Sequence, residues 1–347
     1  MTWLNNGQSV KVPVGNYRIF FKELEGFQAP TNVVVSIKKN QTTVVDVEYL
    51  PKNNLFLEEY ITTNFSNIYY VDNQTGSNSN NGLTKETPMA TIQATINKTS
   101  NANTAIVLLP NSVFEGMVPN NGFIHIPSDK NLSFFGLNEG TVNSIPIIRS
   151  TDRNCIQNRS TKEINFINIR IESLGSQSIN YANNYATLLQ QPINNTICNF
   201  YNCYLKPRGI IFNSGSILNV YNSIIDYDKH NFVADIFWYY PGHAYSGPKK
   251  FYNSIILDTM TCRSTNSDTA IFYNSIVPST NLSYHNFTHA TNKRLATSLS
   301  TIDENWQVNL DPSFYINQGT GTNRDGSTAH IGIYGGQFAL DFLKSNI

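Results

Sequence analysis

The chain has 347 residues, with 24 Lys+Arg balanced by 24 Asp+Glu and only 14% charged residues. That length suits one large domain or two smaller ones. The absence of net charge leaves no field to draw nucleic acid or an anionic membrane surface. No apolar run reaches the roughly 18–20 residues of a membrane helix. The opening MTWLNNGQSVKV has neither the basic nor the apolar region of a secretory signal. The expectation is a soluble chain that stays inside or leaves by a route needing no N-terminal signal. Asn occurs 48 times, as often as all charged residues together. Its amide mimics backbone groups and tolerates left-handed turns, so Asn between Ile/Val/Phe/Tyr runs predicts many short strands. Cys155, Cys198, Cys203 and Cys262 form no CxxC pair and have no His at zinc spacing. They are expected to be reduced core residues.

In chain order, residues 1–50 read as a small β module. Pro13-Val14-Gly15-Asn16 is a turn before a strand Tyr17 to Phe21, and Gly26 to Pro30 is another turn. Asn32 to Ile37 follows as a strand, and Lys38-Lys39-Asn40-Gln41 closes a hairpin into Thr42 to Tyr49. With its Trp3, "F-K-x-x-x-G-F-x-x-P" and "Q-T-T-V", this stretch resembles a unit of a recurrent extracellular and phage β-sandwich repeat. The resemblance implies a spacer or attachment module without chemistry. That family usually has a strand before the Trp, so either the first strand is missing here or a neighbouring protein supplies it by strand addition.

Residues 51–68 read as a linker beginning at Pro51-Lys52-Asn53-Asn54, and 69–347 as the second module. Met89, Ile92 and Ile96 lie at helical spacing after Thr87-Pro88 and predict one short helix. The run YYVDNQTGSNSNNGLTKETPMATIQATIN resembles the entry to pectate-lyase-like right-handed parallel β-helices. There it implies a first strand and a helix plugging the solenoid, with Thr104 to Gly116 as the first full coil. The C-terminal Asp311-Pro312-Ser313-Phe314 and Asp325 to Gly336 resemble that superfamily's closing segment.

Internal repeats point the same way. NFINIRI (165–171), NFYNCYL (199–205), NVYNSII (219–225), KFYNSII (250–256) and IFYNSIV (271–277) are one motif. The shared Asn falls at 168, 202, 222, 253 and 274, in steps of 34, 20, 31 and 21 residues. Steps of 20 and 21 fit one solenoid coil. The Asn is expected at a bend, its amide bonding the amides above and below, with the following apolar residues inside. The fold class is all-β: a small sandwich, then a parallel β-helix with one capping helix. The two long steps must be extruded as loops, and function is sought there.

Asp226, Asp228, His230 and Asp235 follow one repeat. Paired carboxylates with a histidine suit acid–base work on a sugar polymer, and a solvated corner is the alternative. The 31-residue step carries Phe237-Trp238-Tyr239-Tyr240-Pro241-Gly242-His243-Ala244-Tyr245. Trp238, Tyr239, Tyr240, His243 and Tyr245 are the glycan-binding candidates, since exposed aromatic rings call for a sugar or a subunit to cover them. The other long step, 172–195, is polar and carries Tyr181 and Tyr185. Arg208, Arg263, Asp258 and Asp268 flank repeats. His285 and His289 are an i, i+4 pair on no helical apolar face, and no metal site is expected. No cofactor is expected either, and no motif supports Ca2+. Asn-x-Ser/Thr triplets at Asn64, Asn131 and Asn281 arise readily in an Asn-rich chain.

The architectural resemblance implies a bacteriophage appendage, a tailspike, fibre or capsid spike, binding a cell-surface polysaccharide. It would sit in the virion, join other virion proteins through residues 1–50 and associate as a homotrimer, without nucleic-acid or membrane partners. A polysaccharide lyase or glycoside hydrolase and a bacterial adhesin fragment are the alternatives.

Overall fold

The computed structural model describes residues 9–22, 27–29, 32–45, 47, 50–116, 123–151, 155–174, 187–191, 196–207, 210–214, 217–226, 235–238, 248–257, 261–263, 270–278, 287–288, 294–296, 318–319, 321–323, 327–332, 335–336 and 338. Its body is a parallel β-helix of three sheets, each coil adding one strand to each sheet in turn. Among the described residues, sheet 1 has nine strands: Asn67–Val71, Thr104–Leu108, Leu132–Gly136, Ile164–Ile167, Ile197–Tyr201, Ile217–Tyr221, Lys249–Tyr252, Ala270–Tyr273 and Phe287–Thr288. Sheet 2 has Val113–Gly116, Ile147–Ser150, Arg170–Ser173, Tyr204–Pro207, Ile224–Ile225, Ile255–Ile256, Ile276–Pro278 and Arg294–Ala296. Sheet 3 has Ile124–Ile126, Ile156–Asn158, Thr187–Gln191, Ile210–Ser214, Asp235–Trp238 and Thr261–Arg263.

Alternation along each strand decides what is inside. In sheet 1, Phe134, Phe166, Phe200, Val220, Phe251 and Phe272 are in lateral register and fully or almost fully buried. Phe134 and Phe166 stack at 4.9 Å, Phe166 and Phe200 at 5.1 Å, and Phe251 and Phe272 at 4.9 Å. One repeat position thus becomes one continuous hydrophobic column. On the outer face, Tyr201, Tyr221, Tyr252 and Tyr273 stack at 4.6–4.8 Å. They spend their ring faces on each other and leave only edges to solvent.

The repeat Asn is the bend between sheets 1 and 2. Asn168, Asn202, Asn222, Asn253 and Asn274 all have φ between 45 and 54°. That left-handed conformation is one Asn tolerates better than other residues bearing a Cβ. Each of the first four donates its N–H to the tyrosine carbonyl one coil on, at 2.9–3.0 Å. The residue after it points inward. Ser223, Ser254 and Ser275 accept from the backbone N–H of Cys203, Ser223 and Ser254, and each donates to the tyrosine carbonyl of its own coil.

The amide stack lies elsewhere than expected. Asn165 Nδ2 donates to Ser133 Oγ at 3.1 Å, Asn199 Nδ2 to Asn165 Oδ1 at 2.8 Å, and Asn219 Nδ2 to Asn199 Oδ1 at 2.8 Å. This ladder runs on the outer face of sheet 1, three residues before each bend. The bend amides of Asn202 and Asn222 turn instead to the C-terminal segment. Side chains opposite each other in register sit within about 5 Å, which suits amide-to-amide bonding on a strand better than at a bend.

The N-terminal end carries two helices, where one was expected. Helix α2, Ile92–Lys98, is the predicted plug, with Ile92 and Ile96 buried. Its cap is Thr91, whose Oγ1 accepts from Ala94 N–H, and not Thr87-Pro88. Met89 lies before the helix and bridges Val71. Helix α1, Lys52–Asn64, occupies the expected linker. Leu57 and Ile61, four apart and buried, pack with Ala105, Val107, Phe135 and Ile167 on the outer face of sheet 1. The opening Pro-Lys-Asn-Asn and closing Thr-Thr-Asn mask that short apolar stripe, and tertiary packing makes the helix.

Side-chain amides close the exposed strand edges at this end. Asn73 donates to Val113 O at 2.7 Å and accepts from Val113 N–H at 3.0 Å. Gln93 does the same for His125, at 3.0 and 2.8 Å. Each amide stands in for a missing peptide and blocks edge-to-edge pairing. Asp72 anchors this cap, accepting from Ser112 Oγ, Thr75 Oγ1 and the N–H groups of Gln74 and Thr75. Burial opposes its ionisation, yet these donors outweigh burial and hold the carboxyl below its usual range. A carboxyl lowered on folding stabilises above its unfolded value of about 3.9 and loses that contribution as pH falls through the folded value. Asp72→Asn is therefore expected to cost about 1–3 kcal/mol at pH 7. The gap from wild type should narrow as pH falls below about 4; a gap that stays constant on acidification in thermal melts would refute it.

In the N-terminal region, Gly15–Ile19 pairs antiparallel with Val33–Ile37, and Phe27–Gln28 with Leu50–Pro51. The first strand starts two residues before its predicted position. Residues 41–45 are not in a strand, and Phe27–Gln28, expected in a turn, is one. Cys155, Cys198 and Cys203 are free and buried. Burial pushes the Cys203 thiol up to about 12. The Cys262 side chain lies outside the described residues.

Candidate functional site

Because Phe114, Ile148, Ile171, Leu205 and Ile225 of sheet 2 point inward, their neighbours face out. Glu115, Arg149, Glu172 and Lys206 stand in lateral register on successive coils, and Asp226 follows Ile225 on the next. Their charges alternate along the row. Arg149 bonds Glu172 Oε2 at 2.5 Å and Glu115 Oε2 at 3.0 Å. Arg170 Nε donates to Glu172 Oε1, and its guanidinium lies 5.1 Å from the Tyr204 ring centroid. Tyr204 OH donates to Asp226 Oδ2, and Lys206 Nζ lies 3.8 Å from the same oxygen.

The electrostatics follow from that packing. Burial opposes the charge on Arg149, but the Glu172 and Glu115 carboxylates outweigh it and raise its affinity for the proton. Burial, then the Asp226 charge and hydrogen bond, push the Tyr204 hydroxyl well above its ordinary value, so it stays a donor. Glu172 is almost wholly buried, with one guanidinium on each oxygen. Glu115, Lys206 and Asp226 reach solvent, their side chains 46%, 28% and 25% exposed.

Connectivity adds to this row. The sheet 2 strands holding Glu172, Lys206 and Ile225 lead to sheet 3 through residues 174–186, 208–209 and 226–234 respectively. Two long connections thus leave one corner of the solenoid on coils two apart, on either side of a short one. Their departure points carry Glu172, Lys206 and Asp226.

Of the predicted site residues, Asp226 is on this floor. Asp235 opens and Trp238 closes a sheet 3 strand, so Phe237 and Trp238 lie in the sheet and not in the displayed loop. Asp228, His230, Tyr239, Tyr240, His243 and Tyr245 lie outside the described residues, as do Tyr181, Tyr185, Arg208, Asp258, Asp268, His285 and His289. Arg263 ends the sheet 3 strand that pairs with Asp235–Trp238, opposite Trp238. Among the described residues no group of three His, Cys, Asp or Glu could hold a metal. No described helix is long and apolar enough to cross a membrane.

Sequence reading missed Arg149, Arg170, Glu172, Tyr204 and Lys206. Aligning repeats on the bend Asn would have shown a signal: the fourth residue after it is Glu172, Lys206 and Asp226 on three consecutive coils.

No family model and no curated protein matches the chain. The fold is similar to the GH136 lacto-N-biosidase from Eubacterium ramulus, at 14% identity and a TM-score of 0.38, covering 65% of this chain and 46% of that one. The chain thus spans less than half that enzyme's length. It is also similar to the pectin methylesterase from Aspergillus niger in deglycosylated form, at 12% identity and a TM-score of 0.39, covering 67% of this chain and 81% of that one. Both are likenesses of fold alone.

Proposed function

We propose that the chain is a host-attachment appendage of a bacteriophage-like virion, binding an uncharged stretch of cell-surface glycan at the corner between sheets 2 and 3. The observation that carries this reading is the neutral row on the corner floor, where each cation is already matched by a carboxylate. On such a floor Lys206 can donate to sugar hydroxyls and Asp226 can accept from them, without the excess charge that selects a polyanion. Residues 1–50 serve as the attachment module to other virion proteins, and the appendage is a homotrimer.

The test is a glycan array and a polysaccharide-binding assay on the full chain, with light scattering for the oligomer. Wild type should bind neutral glycans with little change between low and high salt, since screening acts on charged ligands. Lys206→Gln and Asp226→Asn should each weaken binding roughly 10-fold, the scale of a lost hydrogen bond with a charged partner. Binding confined to acidic glycans with a steep salt slope would overturn the uncharged ligand. No binding, or a monomer, would overturn the appendage. Release of reducing ends from the polysaccharide would replace it with a glycan-cleaving enzyme.

A further inference from the structure

The described residues between 318 and 338 lie along the bends of the solenoid. They first fold on themselves. Asn323 donates from Nδ2 to Ser327 Oγ at 2.9 Å and Thr328 O at 2.8 Å, and its Oδ1 accepts from the N–H groups of His330 and Gly336. Thr322 and Thr328 form an antiparallel bridge, flanked by Gly319 N–H to Ala329 O and Ala329 N–H to Gly321 O.

That folded segment contacts three successive coils at the bends. Gly332 N–H donates to Asn253 O at 2.6 Å, Asn222 Nδ2 to His330 O at 3.0 Å, and Asn202 Nδ2 to Gly335 O at 2.8 Å. Gly332 has a φ of +94°, and a Cβ there would strike Ile255, so the backbone lies directly on that coil. Beyond the bends, Phe338 packs 5.7 Å from Tyr201, 5.3 Å from Tyr60 and 6.1 Å from Phe56. Phe338 is thereby seated on α1, the helix that follows the N-terminal region. Ala329, Ile331 and Phe338 are buried in doing so.

One bend supplies the contrast. Asn168 has the same φ, 54°, and is equally buried, yet neither its Nδ2 nor its Oδ1 has a hydrogen-bond partner among the described residues. The left-handed bend accounts for Asn at all five positions. It does not account for the amides of Asn202 and Asn222, which find their partners in the segment from 330 to 335.

We propose that the described residues between 318 and 338 are a latch that docks last, spanning stacked coils and α1, and sets the rate at which the rod comes apart. Its docking groups come from three coils whose bends, at Asn202, Asn222 and Asn253, lie well back in the chain, and from the far more distant helix α1, so the surface it needs exists only once those coils are stacked. Contacts made after the folding transition state slow unfolding and leave the folding rate unchanged. The result is a rod held by kinetic stability.

Asn202→Gly/Asn222→Gly tests this directly, because glycine keeps the left-handed bend at no steric cost and removes only the amides. Asn168→Gly is the control, sharing the glycine entropy cost with no latch contact. The double variant should unfold in denaturant roughly 10-fold or more faster than wild type, the scale of two lost hydrogen bonds, with refolding unchanged. Hydrogen exchange should show residues 318–338 deprotected, while Asn168→Gly keeps that protection. Phe338→Ala should deprotect α1 and leave the coil strands unchanged. Equal unfolding rates for the double variant and the control, or full protection of 318–338 in the double variant, would overturn the latch.

Discussion

Phe166→Ala is expected to lower stability by about 3–5 kcal/mol, the largest effect expected among the described side chains of the solenoid. Phe166 has no exposed surface. Its ring lies between Phe134 and Phe200 with interplanar angles of 6° and 12°, so its removal opens a gap inside a column. The rings above and below are fixed by strands hydrogen-bonded on both sides, which limits how far the gap can collapse. Each aromatic pair lost adds about 0.5–1.5 kcal/mol to the transfer and cavity cost, which places the result at the upper end. Urea denaturation followed by far-ultraviolet circular dichroism gives the value. A loss below about 1 kcal/mol would mean that neighbouring coils close the gap, and would contradict a rigid column.

Glu172→Met is expected to cost about 2–3 kcal/mol, next in size. Removing one partner of a buried ion pair leaves charge without compensation, at about 3–5 kcal/mol when burial is complete. Arg149 and Arg170 are each a quarter exposed and reach water, which brings the figure down. A double-mutant cycle isolates the coupling. Arg149→Met/Glu172→Met should cost less than the two single changes summed, because the buried carboxylate that loses a guanidinium in the Arg149 variant is itself gone. Strict additivity in denaturant melts would show that the row is decoration on the sheet. The cycle also bears on the proposed ligand site, since Glu172 fixes the arginine that lies over Tyr204 and so the donor to Asp226.

The repeat motif carried much of this fold on its face. Asn at 168, 202, 222, 253 and 274 specifies a left-handed bend because few other residues bearing a Cβ enter that region cheaply, and all five have positive φ. Phe and Ile at fixed offsets from it must alternate between core and surface, because side chains on a strand do. Ile92 and Ile96 likewise announced a buried helical face, and that face plugs the solenoid. These features are local: each is decided by the chain within a few residues.

What the sequence left open depends on neighbours one coil away or further. Lateral register, not sequence spacing, places Glu115, Arg149, Glu172 and Lys206 in one row across residues 115–206. Coil lengths of 20 to 34 residues hide that row from any fixed-period reading. The sequence of helix α1 resembles a linker because its apolar stripe is short, and the outer face of sheet 1 makes burial of Leu57 and Ile61 favourable. The bend amides of Asn202 and Asn222 had two geometrically reasonable uses, bonding each other or bonding something laid across them. The sequence by itself determined the coil: bends, inward columns and the parallel β-helix they build. The tertiary structure alone decided what each outward side chain meets, since an outward residue has no partner until another coil, helix or returning segment is laid against it.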